Sequence, residues 1–500
     1  MILFWLLIIP LLASPLAFFL RRRQAMEVVN LAAFGALLCL SAGLAFRVLH
    51  GGPVSLWQGF LYADALSALL VLLSSFVALA CSIYAVGYFR HDVRSGMLQE
   101  GEGADRQFAA SKLREYYALT PLFVFSMILV GLANNLGILW VAIEGTTLAS
   151  VFLVMFYGRE TSIEAAWKYA ILGGVGLSMA LFGTILTYYS AHQTLGTDTL
   201  GGLNWSVLVG NAAQFDKPTM RLAFILIFLG YGTKAGIAPM HTWKPDAYSE
   251  APIPAAAMLA AGVLNCALYG LVRFYILSSL CLGAHFGSQL LLLFGLLSMG
   301  VAVPFILVQK NLRRMLAYSS IDHSGIMVLA LGFGGPLGIL GMLLHMTFHA
   351  ITKPLLFFCA GDVQQHLNTD LFREAKGGLI HSMPISAAAF LLATLAVTGA
   401  PPFGLFLSEF TILRAGFTAG HLTLTIFYVF FLVAIFSGFL IHIANLVLGP
   451  DPARPPAHAC LWKKSSIVGL VAVVVVIGFW IPAPLFRLIQ SAADIVMRGQ

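Results

Sequence analysis

Apolar runs of about twenty residues, the length a helix needs to cross a bilayer, follow one another along almost the whole chain, parted by short polar loops. That pattern constrains the fold more than any motif. Inside lipid every backbone polar group must find a partner within the protein, which leaves helices or closed barrels. The alternating polar and apolar residues of a barrel strand are absent. Of 500 residues 59% are hydrophobic and 10% charged, against roughly 25% charged in soluble domains, so a soluble domain is excluded.

The pattern predicts fourteen spans, near 2–20, 26–48, 62–86, 117–133, 135–157, 166–190, 220–243, 252–277, 286–308, 316–333, 337–361, 384–412, 421–448 and 465–489. The tenth is the shortest and most polar, which leaves thirteen open as the count. Loop charge offers an independent check. Most of the 28 lysines and arginines fall in odd-numbered loops or at their edges, Arg21, Arg22, Arg23, Arg313, Arg314 and Lys244 among them. By the positive-inside rule those loops are cytoplasmic and both termini lie outside. The first span has no basic residue before it and three after it, the reverse of a signal peptide, and reads as a retained helix.

The net charge of +7 reflects that anchoring and does not suggest nucleic acid. Six cysteines are scattered, with no CxxC and no Cys/His cluster, which argues against iron–sulfur or structural zinc sites. Nucleotide-binding glycine loops are missing too. The expectation is proton chemistry, with no cofactor and no metal.

A charge at mid-membrane costs at least about 2.5–3.5 kcal/mol and asks for a reason. Glu144 lies mid-depth in the fifth span and Lys234 in the seventh. His345, His349 and Lys353 are spaced i, i+4, i+8 in the eleventh, a polar stripe on one helix face. Asp322 and His323 add an acid and an imidazole in the tenth span, and Glu409 follows Pro401-Pro402 in the twelfth. Each has a plain structural reading: an ion pair between helices, a satisfied histidine, or a lysine covering carbonyls freed by Pro354. Asp64 and Lys168 sit near span ends, where snorkelling is the default. Together, though, titratable groups repeated across half the chain are what a water-linked proton path requires, because burial and neighbouring charge shift lysine and glutamate readily.

Pro239, just before His241, removes a donor and frees a carbonyl near Ala235. Broken backbone at membrane depth is tolerated where it is buried or lines a hydrated cavity, and paired breaks in two halves point to inverted repeats. With spans four to eight and nine to thirteen as the repeats, the breaks at Pro239 and at Pro401-Pro402 are fourth in each. The fold class expected is an all-α integral membrane protein of about fourteen helices, with helices 7 and 12 broken. Its parts are an N-terminal three-helix segment with a cytoplasmic loop (1–116), the first repeat (117–277), the second (278–448) and a C-terminal helix (449–500).

Six stretches, WVAIEGTTLASVFLV, AAWKYAILGGVGLSMALFGT, GTKAGIAPMHTWKPDAYSEAP, LRRMLAYSSIDHSGIM, HMTFHAITKPLLFFCAG and GAPPFGLFLSEF, resemble a known family. It comprises the antiporter-like subunits of respiratory complex I, of multisubunit sodium/proton antiporters and of membrane-bound hydrogenases. AIEGTTL, APMHTW, LNCALYG and YSSIDHSG are most similar to the hydrogenase-4 component F branch. The resemblance implies two inverted five-helix repeats and assigns roles. Glu144 and Lys234 match a Glu–Lys pair, His349 and Lys353 a central polar axis, and Glu409 the exit residue. It also implies membrane partner subunits and a peripheral redox arm of hydrogenase-like or iron–sulfur proteins, in a cell inner membrane, with no redox centre in this chain. Two positions depart from the family: Asn265 stands where many relatives carry lysine, and Tyr248 where they often carry histidine. A proton-translocating subunit of a redox complex is therefore the first expectation. A subunit of a sodium/proton antiporter and a non-conducting anchor are the alternatives.

Overall fold

A computed structural model describes residues 1–96, 98, 106–196, 201–450, 452, 454–457 and 460–498. Positions 99–105 of the expected cytoplasmic loop lie outside the described residues. The chain opens with α1 (Ile2–Phe19) and α2 (Arg23–Gly51), then an antiparallel hairpin of β1 (Val54–Leu56) and β2 (Leu61–Ala63). There follow α3 (Ala65–Arg94), α4 (Arg106–Leu132), α5 (Leu136–Val154), α6 (Glu160–Leu195), a short α7 (Trp205–Asn211), α8 (Lys217–Ala235) and α9 (Trp243–Glu250). Next come α10 (Ile253–Met258) and α11 (Leu264–Leu282), joined by a π turn over Leu259–Val263, then α12 (Ala284–Leu307), α13 (Leu312–Phe333) and α14 (Gly335–Leu367). After two short turns, α15 (Phe372–Ala375) and α16 (Leu379–Ser382), the chain ends with α17 (Pro384–Val397), α18 (Gly404–Thr418), α19 (Leu422–Leu448), α20 (Leu461–Phe479) and α21 (Ala483–Met497).

Among the described residues, twelve helices are long and apolar enough to cross a membrane, α10 and α11 counting as one. The pairs α8–α9 and α17–α18 supply the seventh and twelfth spans in two pieces, which makes fourteen. The tenth span is a regular helix of 22 residues, so the lower count does not hold. The fourteenth differs from expectation. It ends at Phe479, and Pro482 and Pro484 begin a separate amphipathic helix, α21, as proline does at a first helical turn. Leu488, Ile489, Ala492, Ala493 and Val496 form its buried face, which packs against α3 and α14.

Local chemistry sets the helix starts. The Asn135 carboxamide accepts from the Gly137 N–H (2.9 Å) and begins α5; that of Asn311 accepts from Arg314 N–H (3.0 Å) and begins α13. Side-chain caps of this kind satisfy donors that the first turn leaves free. These are the second helices of the two five-span series, each followed by a long helix and then by a broken one.

The two breaks share a backbone design. α8 ends at Gly236 and α17 runs into Gly399, both with φ of 70°, a left-handed conformation that costs a side-chain-bearing residue about 1–2 kcal/mol. The next N–H reaches back in the same way each time, Ile237 to Gly232 (2.8 Å) and Ala400 to Leu395 (2.9 Å). Ala238–Pro239 and Pro401–Pro402 are cis.

Spans α10–α11, α13 and α14 are buried along their apolar lengths. Around them lies a ring with exposed apolar faces, carried for instance by Phe182 and Ile185 of α6 and by Phe430 and Val433 of α19. One ion pair locks this core. Arg273 of α11 donates twice to Asp64 (2.7 Å each) and to Ser67 (3.0 Å), and its guanidinium lies 4.1 Å from the Trp205 ring centroid. Asp64 also caps α3 by accepting from Ser67 N–H. Both partners are buried, so Asp64 is a structural clamp and does not snorkel. Lys168 does lie at the surface, paired with Glu164 and Asp246.

Candidate functional site

All but one of the candidate titratable side chains fall into two groups in the interior. The first joins α5, α6 and α8. Lys234, 1% exposed, donates to the Thr147 hydroxyl (2.8 Å) and the Tyr169 hydroxyl (2.5 Å). Tyr169 in turn lies 2.8 Å from Ser150. Glu144, Thr147 and Ser150 are three residues apart along α5, so they share a face. Glu144 and Lys234 form no direct ion pair: the hydroxyls of Thr147 and Tyr169 take up the ammonium. The carboxylate Oε2 is buried without a protein partner.

The second group joins α13, α14 and α18. His323 Nδ1 and His345 Nε2 share a hydrogen bond of 2.9 Å, and His345 Nδ1 lies 3.0 Å from the Ser408 hydroxyl. The His349 ring packs 4.9 Å from that of His323, with both of its nitrogens unpartnered. Lys353 donates to the Ser319 hydroxyl (2.8 Å), not to a carbonyl freed by Pro354. Asp322 Oδ1 has no partner, and its charge reaches Lys353 and Glu409. The Glu409 carboxylate fills the space over Gly399, where a Cβ would meet Oε2 at 1.8 Å. Thus Asp322, His323, His345, His349, Lys353 and Glu409 converge. His241 stands apart, in the turn of the seventh span, with Nδ1 unpartnered and its ring 6.4 Å from Tyr318.

His323, His345 and Glu409 offer three donor atoms within 4.8 Å of one another, a His₂Glu set of the type divalent zinc takes. With two of the nitrogens already hydrogen-bonded to each other, the same arrangement holds a shared proton. Asn265, just past the π turn, has both side-chain polar atoms unpartnered, and so does the Tyr248 hydroxyl. Buried polar atoms in native proteins are satisfied by protein or by ordered water, so this run of open atoms marks where water belongs.

Sequence reasoning missed four buried cations, Arg273, Lys244, Arg313 and Lys463. Arg273 lies near the end of a span and shows no pattern of its own. Lys244 reads as a loop charge because Pro245 and Asp246 follow it, yet its side chain is fully buried on α9. Its ammonium donates to the Ala235 carbonyl, one of the carbonyls that the break at Pro239 sets free.

The family described as NADH:quinone oxidoreductase/Mrp antiporter, TM matches residues 133–436. A hydrogenase-4 component F homolog of Methylacidiphilum infernorum (isolate V4) is 38% identical over 363 residues, 73% of this chain and 74% of that protein. Among solved structures, the membrane-bound sulfane sulfur reductase, an archaeal respiratory membrane complex, contains a chain with TM-score 0.85 and 22% identity, covering 99% of this chain and 97% of that one. A chain of the Mrp complex from Dietzia sp. DQ12-45-1b gives 0.83 and 20%, with the same coverage. At such identities the structural likeness shows the fold alone.

Proposed function

Since this chain belongs to the NADH:quinone oxidoreductase/Mrp antiporter membrane family, we propose that it is a proton-translocating subunit of a hydrogenase-4-like or complex I-like redox complex. The observation that carries this reading is the series of titratable side chains with buried polar atoms that lack partners among the described residues: Glu144 Oε2, His241 Nδ1, Asp322 Oδ1 and both nitrogens of His349. A scaffold gains nothing from leaving such atoms open, since each costs about 1–3 kcal/mol when unsatisfied. A path of exchangeable protons needs them open to water.

In this reading partner subunits and a peripheral redox arm change the charge on the Glu144–Lys234 pair. Lys234 releases its proton when Glu144 withdraws, and the hydroxyls of Thr147 and Tyr169 hold the side chain in place. Protons then pass by His349 and Lys353 to the His323–His345 pair and on to Glu409. Residues 117–277 and 278–448 form the two repeats, 1–116 and 449–500 flank them, and both termini face outside, as the basic loops require. The 38% identity to a hydrogenase-4 component F homolog favours a redox complex over a gradient-driven antiporter.

The test is proton uptake into inverted membrane vesicles holding the whole complex, with wild type beside Lys234→Ala. A large loss of uptake, with the complex still assembled, is expected. Equal uptake makes the chain an anchor, and uptake that needs a sodium gradient instead of redox substrate makes it an antiporter subunit.

A further inference from the structure

We propose that Lys244 is a further proton carrier, the one that joins the Lys234 group to the His349–Lys353 group; the inference rests on the proton-translocating reading above. Four observations place it there.

Lys244 is buried throughout its length, and its nitrogen meets a carbonyl, that of Ala235. No carboxylate among the described residues pairs with it. A carbonyl takes a hydrogen bond from an ammonium and from a neutral amine alike, so the contact fixes the position of the side chain without fixing its charge. Contrast Arg273, which two oxygens of Asp64 hold as a permanent cation.

The site is built for this side chain. A Cβ on Gly236 would come within 2.3–2.7 Å of Lys244 Cδ, Cε and Nζ, so the glycine at the break is the floor on which the lysine lies. In the twelfth span Gly399 receives the Glu409 carboxylate in the same way. Both breaks therefore cradle a titratable group brought by the half-helix that follows.

α9 lies against both groups. It packs on α6, which carries Tyr169, and on α13, which carries His323. Trp243 stacks on Tyr169 at 4.6 Å, and Tyr169 is the acceptor of Lys234.

The level is also right. The Tyr248 and Phe357 rings are 6.0 Å apart. Lys244 precedes Tyr248 by four residues, and Lys353 precedes Phe357 by four. Three spans separate α9 from α14, so the two helices run the same way, and one turn back along each brings Lys244 to the height of Lys353.

The step is a proton transfer with conserved charge. A proton leaves the Lys234 ammonium, the Lys244 amine takes it up, and it passes to a free nitrogen of His349, leaving Lys244 neutral again. Asn265, whose carboxamide does not ionise, cannot take up and release the proton.

The experiment compares Lys244→Gln, Lys244→Arg and Lys234→Ala in inverted vesicles containing the whole complex, reading protons taken up per redox turnover, with assembly checked by retained redox activity. Glutamine keeps a donor for Ala235, and arginine keeps the cation but does not give up its proton. Loss of most uptake in both Lys244 variants is expected. A structural lysine is rescued by arginine or glutamine, and wild-type uptake in either overturns the proposal. If Lys234→Ala has lost uptake in that same experiment, the wider path still stands; if it too pumps normally, both readings fall. Should the glutamine variant not assemble, the arginine variant decides.

Discussion

Asp64–Arg273 and the group around His349 are both buried and both combine acids with bases, yet they are built in opposite ways. In the clamp the two ions are closed on each other: two hydrogen bonds between them, a third from Arg273 to Ser67, a backbone N–H on Asp64, and an aromatic face under the guanidinium. Around His349 the hydrogen bonds run to single hydroxyls and between imidazoles, and both His349 nitrogens and Asp322 Oδ1 have no partner among the described residues. Burial of charge does not by itself separate scaffold from path. The separating feature is whether the charge is closed or left open. A closed pair fixes its protons, whereas an open one can pass them on.

Glu409→Gln provides the sharpest break of that comparison. It is expected to abolish nearly all proton uptake per turnover while the thermal midpoint of the purified complex stays level or rises, since a neutral amide removes a buried carboxylate. Full uptake in this variant would put Glu409 on the scaffold side. Asp64→Asn is expected to do the reverse. Removing one partner of a buried pair costs about 3–5 kcal/mol, seen as a lower unfolding midpoint and less chain in the membrane, with uptake per assembled complex unchanged. A fall in uptake at unchanged stability would move the clamp onto the path. Gly399→Ala falls between: the left-handed backbone costs about 1–2 kcal/mol, and its Cβ displaces the Glu409 carboxylate, so a partial loss of uptake accompanies a modest drop in midpoint. The smallest effect is expected from Arg273→Lys, which keeps the charge and gives up the two-pronged geometry, about 1–2 kcal/mol, with uptake untouched.

Much of this was legible in the sequence because lipid imposes a simple grammar. Apolar length gave the spans, and a charge such as Lys234 or Glu144 stands out against it. Pro239 and Pro401-Pro402 announced the breaks. What stayed hidden shares a cause: the signal was ordinary at its position. Lys244, beside Pro245 and Asp246, looks like a loop residue. Asp64 and Arg273 sit near span ends, where long or short charged side chains are expected to reach the surface, and only tertiary packing brings them together across 209 positions. The π turn at Leu259–Val263 has no sequence mark, since its residues, LAAGV, are all apolar or small and ordinary in an apolar span. The run from 465 to 489 read as one span because α21 buries enough apolar residues to continue it, although two prolines interrupt it. The Glu144–Lys234 pair is what the family resemblance implies, whereas the hydroxyls of Thr147 and Tyr169 that hold Lys234 carry no charge pattern to reveal them.

The three spans with no lipid-facing surface, α10–α11, α13 and α14, resemble the core of an insulated cable, with the outer helices as its sheath. Field lines from a charge on this core reach bulk water only past the outer helices. Two unit charges about 10 Å apart interact by about 0.4 kcal/mol in water but by about 1.7 kcal/mol at an effective dielectric constant of about 20. A charge gained at one point of the core is therefore registered several residues away, so the groups strung along it respond as one circuit.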